Sequence, residues 1–206
     1  MTGQTPAVLL AAHQVKAAAE VLGRAFLDDP LAVWIVPNEA RRARVLPWFF
    51  RIAVRYGQRH GQAHTMSGSM QGVAVWHPPE RALASTVGTL GAEAATLLFR
   101  LRLGELRRAL TATGHLERLH KRDAPPRHWY LAVLGVDPPY QGQGVGSALL
   151  EPILSRMDGE GLPCYTETAR ERNVSFYRKH GFQVIEEGNL PKGGPRYWTL
   201  LREPRR

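Results

Sequence analysis

Residues 129–153, WYLAVLGVDPPYQGQGVGSALLEPI, constrain the fold of this chain more than any other stretch. From Trp129 to Val136 the side chains are apolar at odd and even positions alike. A strand alternates its side chains between two faces, so this one must be buried on both and belongs in the middle of a sheet. Asp137-Pro138-Pro139 ends it, because proline lacks the N–H that a ladder needs. A glycine-rich loop follows, and then Val145, Ala148, Leu149 and Ile153 recur along one helical face. Pro152 is expected to kink that helix or to fix its exit turn.

The flanking sequence supplies partners for this unit. Residues 8–10 suit a short first strand, and Val15, Ala18, Ala19, Leu22 and Phe26 a helix stopped by Asp28-Asp29-Pro30. A second helix begins near Asn38 and carries Val45, Phe49, Ile52 and Tyr56 on one stripe. Residues 63–67 and 72–76 read as strands joined at Ser67-Gly68. From about 80 to 122 the pattern is that of two or three helices, bounded by Ala124-Pro125-Pro126. Strands at 164–168, 182–186 and 196–202 and a helix at 174–179 complete the chain. Strands on both sides of residues 80–122 need a common sheet, so that segment is a helical insertion and residues 1–206 form a single domain. The expected class is α/β (α+β), a central mixed, twisted sheet flanked by helices on both faces, with the insertion before the central strand.

Composition bounds the rest. Cys164 is the single cysteine, so no internal disulfide can form, and no histidine pair has metal-site spacing. No metal is expected. No apolar run approaches the roughly 18 residues a bilayer crossing requires, and the N-terminus has no basic region ahead of its apolar stretch. A cytoplasmic protein with no membrane association is expected. The net charge of +9 attracts polyanions, but no nucleic-acid recognition pattern accompanies it, so no specific nucleic acid is expected. Monomer and homodimer both remain open.

The chemistry lies in Gln141-Gly142-Gln143-Gly144-Val145-Gly146. A helix N-terminus carries N–H groups without internal partners, and glycines let them close around a phosphate. A nucleoside triphosphate loop would end in Gly-Lys-Ser/Thr, whereas Gly146-Ser147 has no lysine. The spacing is also not the GxGxxG of a dinucleotide fold. What remains is a phosphate or pyrophosphate cradle, or simply a tight strand-to-helix turn.

The block LGVDPPYQGQGVGSALL closely resembles the Q/R-x-x-G-x-G/A acyl-CoA motif of the GCN5-related N-acetyltransferase superfamily. The downstream TARERNVSFYRKHGF resembles that family's second block, in which an asparagine and a tyrosine precede Gly-Phe. The layout is most like the branch that includes puromycin N-acetyltransferase, with a helical insertion and a late Gly-Pro-Arg. The specific motifs cover residues 129–182.

The resemblance implies an acyl-CoA N-acyltransferase fold and acetyl-CoA as acyl donor. It implies that the backbone of Gln141, Gly142, Gln143, Gly144, Val145, Gly146 and Ser147 binds the pyrophosphate. Leu134, Gly135 and Val136 would hold the pantetheine arm on a strand edge that its neighbour has left. Asn173 matches the asparagine on the pantetheine side, and equally suits a helix cap. Tyr177 matches the general acid, its alternative being a core tyrosine.

A base is also needed, because an alkylamine is protonated near neutral pH. Glu167 at the C-terminal end of its strand is the candidate, with His120 and His128 as alternatives. For the acceptor pocket the candidates are Asp28, Asp29, Trp34, Tyr56, Trp76 and Trp129, which would suit a cationic or aromatic amine. Each has a competing role in a core or a turn. The expected function is transfer of an acetyl group to the amine of a small molecule. The alternatives are a peptide or protein N-acetyltransferase and a catalytically silent acetyl-CoA-binding module.

Overall fold

The computed structural model describes residues 6–83 and 100–205. Seven strands form one sheet: β1 (Ala7–Leu9), β2 (Gln62–Met66), β3 (Gly72–His77), β4 (Trp129–Val136), β5 (Cys164–Thr168), β6 (Gln183–Asn189) and β7 (Arg196–Arg202). Their spatial order is β1-β2-β3-β4-β5-β7-β6. β4 and β5 are parallel and the other neighbours antiparallel, so the sheet is mixed and β4 is its centre. The helices are α1 (Val15–Ala25), α2 (Pro30–Ile35), α3 (Glu39–His60), α4 (Leu103–Asp123), α5 (Val145–Glu160) and α6 (Glu171–Lys179). The class expected from the pattern of apolar residues is the one observed. Of the expected insertion, α4 is described, while residues 84–99 lie outside the described residues.

Each face of the sheet carries its own core. Leu149, Leu150, Ile153 and Met157 of α5 pack on Trp76, Trp129, Leu131 and Leu200, with Val174 and Tyr177 of α6 beside them. On the other face Leu22 of α1 and Phe50 and Val54 of α3 cover Val73 and Val75. Ala112 and Leu119 of α4 pack with Tyr197 of β7 and with Leu31, Trp34 and Ile35 of α2. Among the described residues no helix is long and apolar enough to cross a membrane.

β4 changes phase part-way. Val75 faces Val133 whereas Trp76 faces Leu131, so Ala132 is an extra residue on β4. Such a bulge turns the following side chains to the opposite face and twists the strand. Trp129 and Leu131 therefore lie under α5, and after the bulge it is Leu134 and Val136 that do so.

Local chemistry sets the boundaries. The Asn38 side chain accepts from the Arg41 N–H and caps α3, as its position predicts. Asp29 both ends α1's exit and caps α2, a short helix that the sequence pattern does not announce, by accepting from the Leu31 N–H at 3.0 Å. Pro152 neither ends nor visibly interrupts α5, which continues to Glu160 and stops at Gly161 in the left-handed region (φ 65°). Helix α6 starts at Glu171, three residues before the expected 174, because the Thr168 hydroxyl accepts from the Arg170 N–H and turns the chain early.

Candidate active site

The parallel pairing of β4 with β5 is short. It joins Trp129 to Cys164 and Tyr130 to Tyr165 and stops there. Beyond this point the Thr166 hydroxyl donates to the Leu131 carbonyl at 3.0 Å, and the strands part. A cleft of about 450 Å³ opens at the parting, lined by Leu134, Gly135 and Val136 on one side and Asn173, Phe176 and Tyr177 on the other. Backbone groups on a parted strand edge need a partner, and an extended ligand with amide groups supplies it.

The glycine loop closes one end of the cleft. The Gln141 amide donates to the Val136 carbonyl at 3.0 Å and the Gln143 amide to Pro139 at 2.8 Å, so both glutamines brace the loop. Gly142 and Gly144 have φ of 75° and 85°, the left-handed region that glycine enters without strain. The first backbone bond of α5 is donated by Ala148 to Gly144. Among the described residues, no N–H from Gly142 through Ser147 donates to a backbone carbonyl. That row of donors stands at the positive end of α5, and Arg172 and Lys179 also line the cleft. The donor set fits a pyrophosphate. Arg24 anchors the entry to the loop with two bonds to the Asp137 carboxylate, 2.9 and 2.6 Å long.

Two titratable groups meet at the parting from opposite faces. Tyr177, on α6, is 5% exposed and lines the cleft. Burial raises its phenol well above the usual range, while the Thr166 hydroxyl works in the opposite sense. Glu167 projects to the other face, where the Tyr130 hydroxyl donates to its carboxylate at 2.9 Å. Burial pushes the Glu167 carboxyl up to about 8, against the hydrogen bonding of Tyr130 and Tyr165. A carboxyl poised there is ionised for a useful fraction of the protein at mildly alkaline pH and can take a proton from an amine.

The other expected site residues separate. Asn173 lines the cleft, but Arg170 holds the cap position of α6, so Asn173 is not that helix's cap; its amide donates to the Thr168 hydroxyl at 3.1 Å. Asp29 reaches the cleft and caps α2, with Arg170 3.9 Å away, whereas Asp28 is exposed in the turn. Trp34 packs against α4. Tyr56 is buried between His60 and His77. Trp76 and Trp129 are corrected: both are fully buried in the core under α5, and Trp129 donates to Glu160 at 3.0 Å, so neither can touch an acceptor. The alternation of β3 and β4 sends them to the helix face that the pattern alone did not identify.

His120 and His128 are bonded to each other, Nε2 to Nε2, at 2.7 Å. Burial holds His120 down at about 3 and lowers His128 as well, so neither suits a base near neutral pH. Among the described residues no group of three or more histidine, cysteine or acidic side chains is placed to hold a metal ion. Tyr130 escaped sequence reading, although a tyrosine between Trp129 and Leu131 must point away from the α5 core. So did Arg172, Phe176 and Lys179, whose i, i+4, i+7 spacing puts them on one face of α6.

Residues 94–182 match the family model for the acetyltransferase (GNAT) family. The chain is 29% identical over 204 residues to an uncharacterized N-acetyltransferase of Schizosaccharomyces pombe, covering 94% of this chain and 81% of that one. It is 39% identical over 74 residues to the mycothiol acetyltransferase of Propionibacterium freudenreichii, covering 34% of this chain and 23% of that one. The Corynebacterium glutamicum structure described as histone acetyltransferase HPA2 and related acetyltransferase superposes with a TM-score of 0.68 at 20% identity, over 99% of this chain and 98% of that one. A loop of free N–H groups beside a parted central strand thus lies within the matched segment: residues 94–182 belong to the acetyltransferase (GNAT) family, whose members use acetyl-CoA, and the likeness to an N-acetyltransferase extends over 94% of the chain.

Proposed function

We propose that this enzyme transfers the acetyl group of acetyl-CoA to the amine of a small molecule by direct attack on the thioester. The observation that carries this reading is the meeting of three features at one parting of the sheet. These are the free N–H row of residues 142–147, the Tyr177 phenol and the Glu167 carboxyl on the opposite face. When bound, acetyl-CoA supplies an acetyl group activated as a thioester. The loop from Gln141 to Ser147 would hold its pyrophosphate, and the β4 edge at Leu134, Gly135 and Val136, with Asn173 opposite, its pantetheine arm.

Glu167 takes a proton from the acceptor ammonium, leaving a nitrogen lone pair. The new bond joins that nitrogen to the carbonyl carbon, and the carbon–sulfur bond breaks. Tyr177, kept protonated by burial, would give its proton to the departing sulfur; the nitrogen's second proton would pass through solvent to the Tyr177 phenolate, and Glu167 would return the first to solvent, so that one proton is released per acetyl group transferred. Asp29 lines the cleft at the start of α2, and α4 packs on the following residues of α2, an arrangement that supports a small acceptor over a protein chain.

Thiol release from acetyl-CoA tests the reading, measured with polyamines, amino acids, short peptides, arylalkylamines and puromycin, the last because of the insertion layout. The expected result is acceptor-dependent release that falls about 10- to 100-fold in Tyr177→Phe with little change in KM for acetyl-CoA. Release with peptides alone would move the acceptor to the protein class. Tight acetyl-CoA binding without release from any amine would defeat the reading.

A further inference from the structure

Helix α4 delivers one side chain, His120, to the pair of tyrosines beside Glu167. His120 lies flat against the Tyr165 ring, 4.5 Å between centroids and 4° between planes, and tilts against Tyr130 at 4.3 Å. Tyr130 is the group that donates to Glu167 at 2.9 Å. His120 therefore reaches the carboxylate through a phenol, with neither of its nitrogens bonded to it.

The tautomers follow from the bonds. His128 Nδ1 lies 2.6 Å from the Pro125 carbonyl oxygen, which only accepts, so His128 carries a proton on Nδ1. Both rings are held neutral by burial, so His128 Nε2 is an acceptor and His120 donates to it from Nε2. The pair is a fixed, uncharged brace between the end of α4 and the entry to β4.

We propose that His120, braced by His128, is a positioning residue for Glu167: it clamps Tyr130 and Tyr165 so that the Tyr130 hydroxyl stays on the carboxylate. The inference rests on the reading of Glu167 as the base. Facing Glu167 are Tyr130 from β4, Tyr165 from β5 and Tyr177 from α6, and Asp29 with its neighbour Arg170 lies near Tyr177. Around the histidines stand His77 and Lys121, with His60 beside His77, while Arg122 and Asp123 act on Tyr165.

The experiment is an infrared pH titration of the full chain, with the Glu167 carboxyl band assigned by its loss in Glu167→Gln. It is run beside the pH profile of kcat/KM for thiol release. In His120→Ala the Tyr130 hydroxyl is no longer held on the carboxylate, and the midpoint moves upward by about half a pH unit or more, with the acidic limb of the profile following. In His120→Phe, which keeps both ring contacts, the midpoint stays within a few tenths of a unit. Tyr130→Phe removes a donor to the carboxylate and moves it upward.

An unmoved midpoint in folded His120→Ala, or an equal shift in His120→Phe, overturns the positioning role. If His120→Ala does not fold, His128→Gln, which releases the brace, must move the midpoint upward, and an unchanged midpoint there overturns the role as well. Shifts as stated in a protein that releases no thiol with any amine would instead keep the positioning and defeat the proposed reaction.

Discussion

The Thr166 hydroxyl donates to the Leu131 carbonyl across 3.0 Å at the place where β4 and β5 stop pairing. It spans the parting with one side chain where a backbone ladder would otherwise continue. It also bears on the Tyr177 phenol, so one threonine connects the strand split to the proposed acid. The cleft is in this sense built by replacing main-chain bonds with a single side-chain bond, leaving the β4 edge beyond it for a ligand.

Thr166→Val should therefore act at two levels. Valine matches threonine in shape but leaves the buried Leu131 carbonyl without a donor, at a cost of about 1–2 kcal/mol. Thermal unfolding should show a fall of several degrees, and kinetics a rise of several-fold in KM for acetyl-CoA as the parting loses its spacer. An unchanged KM would mean that the split is held by α5 and α6 alone.

The glycines of α5 and its loop allow a paired comparison. Gly144 sits at φ 85°, where an alanine costs about 1–2 kcal/mol and turns the neighbouring N–H groups. Gly144→Ala should raise KM for acetyl-CoA about tenfold while kcat changes little. Gly159, near the end of α5, has open space around its missing Cβ and no positive φ. Gly159→Ala should stabilise the protein by about 0.5–1 kcal/mol and leave the kinetics alone. Equal effects of the two substitutions would show that the loop geometry does not set acetyl-CoA affinity.

Charge on α6 gives a third expectation. Arg172 and Lys179 share a face of the helix and line the cleft near the N–H row. If they assist a phosphate, Arg172→Ala and Lys179→Ala should each raise KM for acetyl-CoA about three- to tenfold, and raising salt should weaken the wild type more than either variant. A salt response identical in all three would assign binding to the backbone donors alone.

The sheet and its helices were legible because their signals are local. Both-face apolarity placed β4 from Trp129 to Val136, and the Asn38 cap placed the start of α3. The loop was legible because its chemistry is carried by main chain, which glycine spacing reports. The acceptor side was not. Trp76 and Trp129 look like pocket residues in one dimension, and only the alternation of the strands sends them under α5. His120 is 47 residues from Glu167 in sequence, and the bulge at Ala132 and the α4 packing that bring them near one another leave no periodic trace. Glu167 is a candidate from its place at a strand end, whereas the burial that raises its carboxyl, against the Tyr130 hydrogen bond, is something no spacing reveals.

Glu167 makes the pH dependence of stability and of activity run in opposite directions. Burial pushes its carboxyl up to about 8 in the folded chain from the ordinary value of 4.5, so between those two values the folded state holds a proton that the unfolded state has released. Stability from this group is complete below the unfolded value, falls as pH rises through the window, and levels off above about 8. Discounted for partial exposure and relaxation, the loss is on the order of 2 kcal/mol. Glu167→Gln keeps an acceptor for the Tyr130 hydroxyl but removes the titration. Its Tm should match the wild type near pH 5 and exceed it by about 5 °C at pH 9. Activity should do the reverse. In the wild type kcat/KM climbs toward pH 8 as the carboxylate forms, and in Glu167→Gln kcat falls about 100-fold or more and that limb disappears. A Tm difference that does not grow with pH would mean that Glu167 is already ionised in the folded protein. The climb in kcat/KM would then have to come from the acceptor amine itself, which an acceptor of lower pKa would reveal by shifting the limb with it.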